Sequence, residues 1–323
     1  MKIKNIKIDG KFILAPMAGV TDKAFRYICK EQGAALTVSE MISAKALTFN
    51  DKKTLSLMEK CDNENPYVVQ TFGSDPDIFK QAIPMIIEAS KCDIIDINMG
   101  CPAPKITTNG EGSALMKTPE LAEKLIKAAV SVSTVPITVK FRKGFTNLEQ
   151  NYLDFGKMAE QAGASAVCLH GRTRTEMYSG HADWDSIAKL KQSVSIPVIA
   201  NGDVVNGESA RDILTQTGAD FAMIGRGTFG NPFIFEECNK AISGQDFVMP
   251  SLDKKLDVFV RQMELAAHFK SEKIAMLEAR KHFIWYLKGV NNSRIFKDKI
   301  AKLTNMDEMY SLVADIKNTL LDI

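Results

Sequence analysis

Histidine is scarce in this chain, with four in 323 residues, and the six cysteines never form a CxxC pair. Cys29, Cys61, Cys92, Cys101, Cys168 and Cys238 are spread along the sequence. These shortages argue against a zinc site and against an iron–sulfur cluster. Such a spread is that of reduced thiols in a cytosolic protein. No apolar run reaches the ~20 residues of a membrane-spanning helix. The opening stretch MKIKNIKIDGKF has no apolar signal core. Charge of one sign is also missing: 41 basic residues stand against 39 acidic ones, a net charge of +2. That balance announces no nucleic-acid binder, and an anionic partner would need a locally basic face. The expectation is a soluble, cytoplasmic monomer with no metal and no membrane partner.

What is present is ordinary globular material, 45% hydrophobic and 25% charged, enough for a normal core. Short β-branched runs recur: FILAP (12–16), ALTVSEM (35–41), YVVQTF (67–72), DIIDIN (93–98), ITVKFR (137–142), AVCLHG (166–171), PVIANG (197–202) and FAMIGR (221–226). Helical patterns lie between them, opened by Thr21-Asp22, Ser74-Asp75-Pro76 and Thr118-Pro119-Glu120. Gly163 and Gly218 fall where helices should end. Continuous apolar strands suit a parallel sheet buried on both faces. Eight evenly spaced strand–helix units favour an α/β fold closed as a (β/α)8 TIM barrel over a doubly wound open sheet. The strand signal stops near Asp246, so the chain divides into a barrel, residues 1–245, and a small C-terminal all-helical domain, residues 246–323.

In such barrels the active site lies at the C-terminal ends of the strands. The eight runs end in Pro16-Met17-Ala18-Gly19, Glu40, Gln70-Thr71, Asn98, Lys140 with Arg142, His170, Asn201-Gly202-Asp203, and Gly225-Arg226. Any one of these alone reads as a loop or core residue; all at one rim point to a site. Glycines and Arg226 at the last two strands suit a phosphate, held by backbone N–H groups and a charged bond. With Lys140 able to face the anionic edge of a reduced ring and Gln70 able to bond its polar edge, the phosphate-binding mouth suggests a flavin. Cys101, in NMGCP just beyond strand 4, then stands over the flavin as a proton donor. A neutral thiol, with an ordinary pKa of about 8.5, is protonated near pH 7.

The stretches APMAGVTDKAFR (15–26), NMGCPAPK (98–105), GEGSAL (110–115), VKFRKGF (139–145), LHGRTRTEMYSGHADW (169–184), PVIANGDV (197–204), IGRGTFGNPFIF (224–235) and RKHFIWYLKG (280–289) resemble the tRNA-dihydrouridine synthase family, above all its bacterial B-type branch. The resemblance covers nearly the whole chain, and NMGCP with HGRTR and ANGD is its most specific part. It implies FMN, tightly bound and reduced by NADPH, on a TIM barrel followed by a helical tRNA-binding domain. Hydride goes to C6 of a uridine and a loop cysteine, here Cys101, protonates C5. Pro16, Met17, Ala18, Gln70, Lys140, Asn201, Gly202, Asp203, Gly225 and Arg226 would contact FMN, and His170 and Asn98 would lie near flavin or base. Arg172 and Arg174 would meet RNA phosphate. Phe145 stands where the family often has tryptophan.

The RNA side has some independent support. Residues 261–302 hold ten Lys/Arg and four Asp/Glu, a surplus of six, from which Arg280 and Lys281 are taken as RNA contacts. The rival reading for those charges is a solvated helix face. Met41 and the segment 43–50 could line the entry of a uridine that must leave its stack. No Rossmann fingerprint appears, so NADPH would visit the flavin without a domain of its own. Two rivals remain for the whole chain: a small-molecule FMN reductase, and an RNA-binding scaffold without catalysis.

Overall fold

Eight parallel strands close on themselves in the computed structural model, which describes residues 1–321. They are β1 (Phe12–Leu14), β2 (Leu36–Val38), β3 (Tyr67–Phe72), β4 (Ile94–Met99), β5 (Ile137–Arg142), β6 (Ala166–His170), β7 (Val198–Asn201) and β8 (Phe221–Ile224). Each pairs with the next, and β8 returns to β1 through Met223 opposite Ile13. A short extension, Ile42–Ser43, adds to the far end of β3. Helices cross between the strands and cover the outer face, while the inner face closes on its own side chains; the result is the (β/α)8 barrel expected from the eight apolar runs.

Local signals set the helix ends. Asp22 caps Lys23–Glu31 by accepting from the Phe25 N–H at 2.8 Å. Asp75 caps Pro76–Ser90, with the proline in the first turn. Gly218 closes Gly207–Thr217 in the left-handed conformation, φ 64°.

Alternation along the strands makes two cores. Outward residues such as Ile95, Ile97, Val139, Phe141 and Leu169 pack under the helices. Inward residues such as Ile13, Val68, Ile94, Ala166 and Phe221 fill the barrel, and Ile3 and Ile8 join them from the N-terminal hairpin (Lys2–Ile3 with Ile6–Lys7), plugging the lower end. Each fully buried side chain of this kind contributes about 1.5–3 kcal/mol of transfer free energy.

The chain leaves the barrel after helix Ile234–Ile242 and begins a second core at helix Leu252–Phe269. That core is built by Leu252–Phe269, Glu272–Tyr286 and Met306–Leu321, with Phe259 stacked on Phe283 at 4.2 Å. It docks on helix Lys23–Glu31 through Ala24 and Ile28, and ion pairs Lys270–Asp22 (2.8 Å) and Arg261–Glu31 (2.7 Å) flank the contact. Residues 322–323, the last two of the expected helical domain, lie outside the described residues. No helix among the described residues is long and apolar enough to cross a membrane.

Candidate active site

Inside the barrel the inward positions change character with height. Below they are apolar; at the C-terminal level they become Gln70, Asn98, Lys140, His170 and Asn201. Strand register brings them together: Asn98 lies opposite Lys140, and His170 opposite both Arg142 and Asn201. Four of these five are less than 9% exposed, so each polar group needs a partner.

Two hydrogen-bond chains supply partners to Gln70, Asn98, Lys140 and Asn201. Lys140 Nζ donates to Asn201 Oδ1 at 2.9 Å, and Asn201 Nδ2 donates to the Met223 carbonyl at 2.8 Å. Burial lowers the Lys140 pKa from its ordinary value. In the second chain Gln70 Nε2 donates to Asp96 at 2.7 Å and Asn98 Nδ2 donates to Gln70 Oε1 at 2.8 Å. Asn98 also reaches the sulfur of Met41, at 3.6 Å.

The NMGCP turn is fastened from all sides. Asn98 Oδ1 accepts from the Gly100 and Cys101 N–H groups at 3.1 and 2.9 Å. Arg142 Nε donates to the Gly100 carbonyl at 2.8 Å, and its Nη1 holds the Thr173 and Met177 carbonyls of the β6 loop. Ser113, in the GEGSAL stretch, donates both its N–H and its hydroxyl to the Cys101 carbonyl. Gly112 has to be glycine beside it: φ is +59°, and a Cβ would lie 3.0 Å from that same oxygen. Cys101 is the one cysteine that is half-exposed; the other five are buried. Burial pushes its thiol pKa up, against the Ala103 backbone and the charges of Arg142 and Lys140, so it stays protonated. His170 is driven well below its ordinary value by burial and by Lys140, Arg142, Arg172 and Arg226, and is a neutral imidazole.

The β7–β8 end suits a phosphate. Gly202, at φ +135°, could not carry a Cβ, which would fall 2.5 Å from that of Ala182. Arg226 is half-exposed, and its bonds to the Tyr178 carbonyl (3.4 Å) and Asp203 (3.5 Å) are long, which leaves the guanidinium able to bind an anion. A single turn of 3-10 helix, Arg226–Thr228, follows β8. Arg172 Nη1 and Arg174 Nε are buried donors without a partner among the described residues. Pro16 and Met17 are half-buried and Ala18 exposed where β1 enters the mouth. Gly225 lies beside Met17, whose sulfur is 3.6 Å from where a Cβ would stand.

Several residues take other work than expected. Arg172 is 1% exposed; it bonds Asp203 at 2.8 Å and the Ser179 and Gly180 carbonyls, so it staples the β6 loop. Asp203 is likewise occupied, accepting from Arg172 and from the Ala182 N–H. Arg174 lies over the Phe145 ring, which Lys117 also approaches. Arg280 turns both Nε and Nη2 onto the Leu303 carbonyl, at 3.1 and 2.7 Å, within its own domain. Lys281 donates to the carbonyl of Gly19, whose N–H is held by Glu40, so it links the helical domain to the β1 loop. Gly230 and Phe229 serve packing: a Cβ on Gly230 would be 2.2 Å from the Trp285 backbone, and Phe229 stacks on Trp285 at 4.2 Å.

Sequence reading missed a basic groove of about 700 Å³ on the helical domain, lined by Lys288, Arg294 and Lys297 with Ile284 and Trp285. Those three cations have no acidic partner among the described residues. The local surplus of positive charge was the available signal, but only partner geometry shows which cations are left over.

A closed parallel barrel whose polar mouth brings together a thiol turn, a half-buried lysine and a rim of glycines and arginine defines a (β/α)8-barrel enzyme. The dihydrouridine synthase family model matches residues 13–321, and this chain belongs to that family. It is 37% identical over 322 residues to tRNA-dihydrouridine synthase B of Pasteurella multocida, covering 99% of this chain and 97% of that one. It is 41% identical over 299 residues to tRNA-dihydrouridine synthase B of Vibrio vulnificus, covering 92% of each. Against the probable tRNA-dihydrouridine synthase of Rickettsia conorii it is 38% identical over 326 residues, covering 98% of each. Among solved structures it is similar in fold to histamine dehydrogenase from Rhizobium sp. 4-9 (TM-score 0.60, 15% identity, 82% of this chain and 50% of that one). A 2-naphthoyl-CoA reductase is similar too (TM-score 0.59, 12% identity, 76% of this chain and 52% of that one). The chain spans about half the length of these two, which share its barrel.

Proposed function

We propose that this enzyme reduces uridine in tRNA to 5,6-dihydrouridine, with Cys101 giving the proton to C5. The observation that carries the reading is the Cys101 turn: a thiol kept neutral by burial, fixed by Asn98, Arg142 and Ser113 at the rim of a polar barrel mouth. When bound, FMN, held tightly at the mouth and recharged by NADPH, would supply the hydride for C6. Gly202, Gly225 and Arg226 would hold its phosphate, Pro16, Met17, Ala18 and Gln70 its ring system, and Lys140 the edge that gains negative charge. Asn201 keeps the lysine aimed there. Neutral His170, with Asn98, offers hydrogen bonds to the flavin or the base.

Residues 1–245 form the catalytic barrel in this reading and 246–323 the tRNA-binding domain, in a cytoplasmic monomer. The RNA surface shifts from Arg280 and Lys281 to Lys288, Arg294 and Lys297, which are exposed and free of acids among the described residues. Their role is to neutralise phosphates while the uridine leaves its stack, an extrusion that costs a few kcal/mol.

The test is anaerobic mixing of reduced enzyme with unmodified tRNA, followed by flavin absorbance. Return of the oxidised band with tRNA but not with free uridine or orotate supports the reading. Return only with a small pyrimidine favours a small-molecule reductase, and no flavin band after reconstitution with FMN leaves an RNA-binding scaffold.

A further inference from the structure

Asp96 has no part in the chemistry above, yet it lies beneath the mouth, 5% exposed, with both oxygens committed. Oδ2 accepts from Gln70 Nε2 at 2.7 Å and Oδ1 from Thr138 Oγ1 at 2.6 Å. The register puts the three residues side by side on β3, β4 and β5. Burial pushes the Asp96 pKa up, while the Gln70 and Thr138 hydrogen bonds and Lys140 act against that rise; in its ionised form the carboxylate can only accept hydrogen bonds. Gln70 therefore turns its NH2 toward Asp96 and its Oε1 toward Asn98. Asn98 must then give its NH2 to Oε1, at 2.8 Å, which leaves Oδ1 as the acceptor for the Gly100 and Cys101 N–H groups. None of Asp96, Gln70 and Asn98 is more than 8% exposed, so bulk water offers no substitute partner.

We propose that Asp96 is a positioning residue: it sets the donor–acceptor direction of the Gln70–Asn98 relay and so holds the Cys101 turn in place. At the upper end the Gly100 and Cys101 N–H groups demand an acceptor, so the two amides are satisfied throughout only if the lower end also supplies an acceptor. With an acceptor-only group at the base, one direction remains. Half a turn of the Gln70 amide would set Oε1 against Asp96 and NH2 against the NH2 of Asn98, two repulsive contacts in a buried site. The relay stands on hydrogen-bond geometry alone; its consequence for turnover rests on Cys101 being the proton donor.

A swap of the two ends tests the direction. Asn98→Asp, studied in the holoenzyme, places carboxyl groups at both ends of Gln70. One amide cannot present NH2 to each. The carboxylate at position 98 then faces Gln70 Oε1 oxygen to oxygen, and the rotation that relieves this repulsion draws it off the Gly100 and Cys101 N–H groups. Burial already pushes the Asp96 pKa up and a second buried carboxyl pushes the same way, so alkylation is followed from about pH 7 to 9 and compared, per thiolate, where the rate no longer changes with pH. Adding Asp96→Asn lets Gln70 reverse, donating to position 98 and accepting from the new amide at position 96. Asp96→Ala added to Asn98→Asp relieves the charge but supplies no NH2. The readout is the rate of Cys101 alkylation by iodoacetamide, since the other five cysteines are buried. Asn98→Asp should react about tenfold faster than the parent, the Asn pair should return to within about twofold, and the Ala pair should stay fast. Equal rescue by Ala and Asn would mean charge relief alone and would overturn the proposal, as would an unchanged rate in Asn98→Asp. If alkylation follows the swap but tRNA turnover does not, the relay stands and the proton-donor reading fails.

Discussion

Cys101→Ala separates catalysis from structure because almost everything that fixes the turn is backbone. The N–H held by Asn98 and the carbonyl held by Ser113 are both kept in the variant. What is lost is one half-exposed sulfur, worth under about 1 kcal/mol of burial. A positioned general acid contributes about 10²–10⁴ in rate, or ~2.7–5.4 kcal/mol at ~1.36 kcal/mol per tenfold. The variant should therefore melt close to the parent and be reduced by NADPH at the parent's rate. Its single-turnover reoxidation by unmodified tRNA, followed anaerobically at the flavin band, should slow at least about a hundredfold. The pH dependence has a definite sign. The donor is the protonated thiol, and burial holds its pKa above the ordinary value. The parent's single-turnover rate should stay flat through neutral pH and fall only as pH rises through that raised value. An alanine variant with the parent's single-turnover rate would refute the reasoning, because no other thiol is exposed enough to replace it.

Gly202→Ala should cost about 1–3 kcal/mol from its φ of +135°, and more from the contact with Ala182; calorimetry and flavin content should both fall, and a variant retaining full flavin would remove Gly202 from the cradle. Glu64→Gln should destabilise by about 3–5 kcal/mol, since it leaves Arg26 buried without its carboxylate, which now stands at 2.7 Å with both side chains at most 2% exposed. Burial raises the Glu64 pKa, but Arg26, Thr37 and Cys61 outweigh it and leave it below its ordinary value. The parent should then hold this stability above about pH 4.3 and lose it as pH falls through the lower folded value, a loss absent from the variant in pH-dependent urea melts. Arg280→Ala should lower the melting temperature by leaving the Leu303 carbonyl unsatisfied while KM for tRNA stays near the parent's. Lys288→Glu with Arg294→Glu should do the reverse, raising KM about tenfold and flattening its salt dependence; equal KM in both variants would move the RNA surface off this groove.

The local grammar of this fold was legible in the sequence. Eight β-branched runs, Asp22 and Asp75 as caps, Pro76 in a first turn and Gly218 at a helix end act within a few residues of themselves, so the chain displays them directly. The same holds for the turn that carries Cys101, where a strand gives way to Gly100 and Pro102. Which cations are tied to partners within the protein was not legible. Arg172, Arg280 and Lys281 have long side chains, and their partners (Asp203, Leu303 and Gly19) are 31, 23 and 262 residues away. Asp96 was hidden for a different reason. A strand buried on both faces reads as one apolar run, so DIIDIN does not say which alternate residues point into the barrel. Closure of the sheet decides that, placing Asp96 beside Gln70 and Thr138. The sequence determined the elements and the position of the thiol. Tertiary structure alone decided which polar groups face one another, because hydrogen-bond and charge partners are chosen by distance in space rather than along the chain.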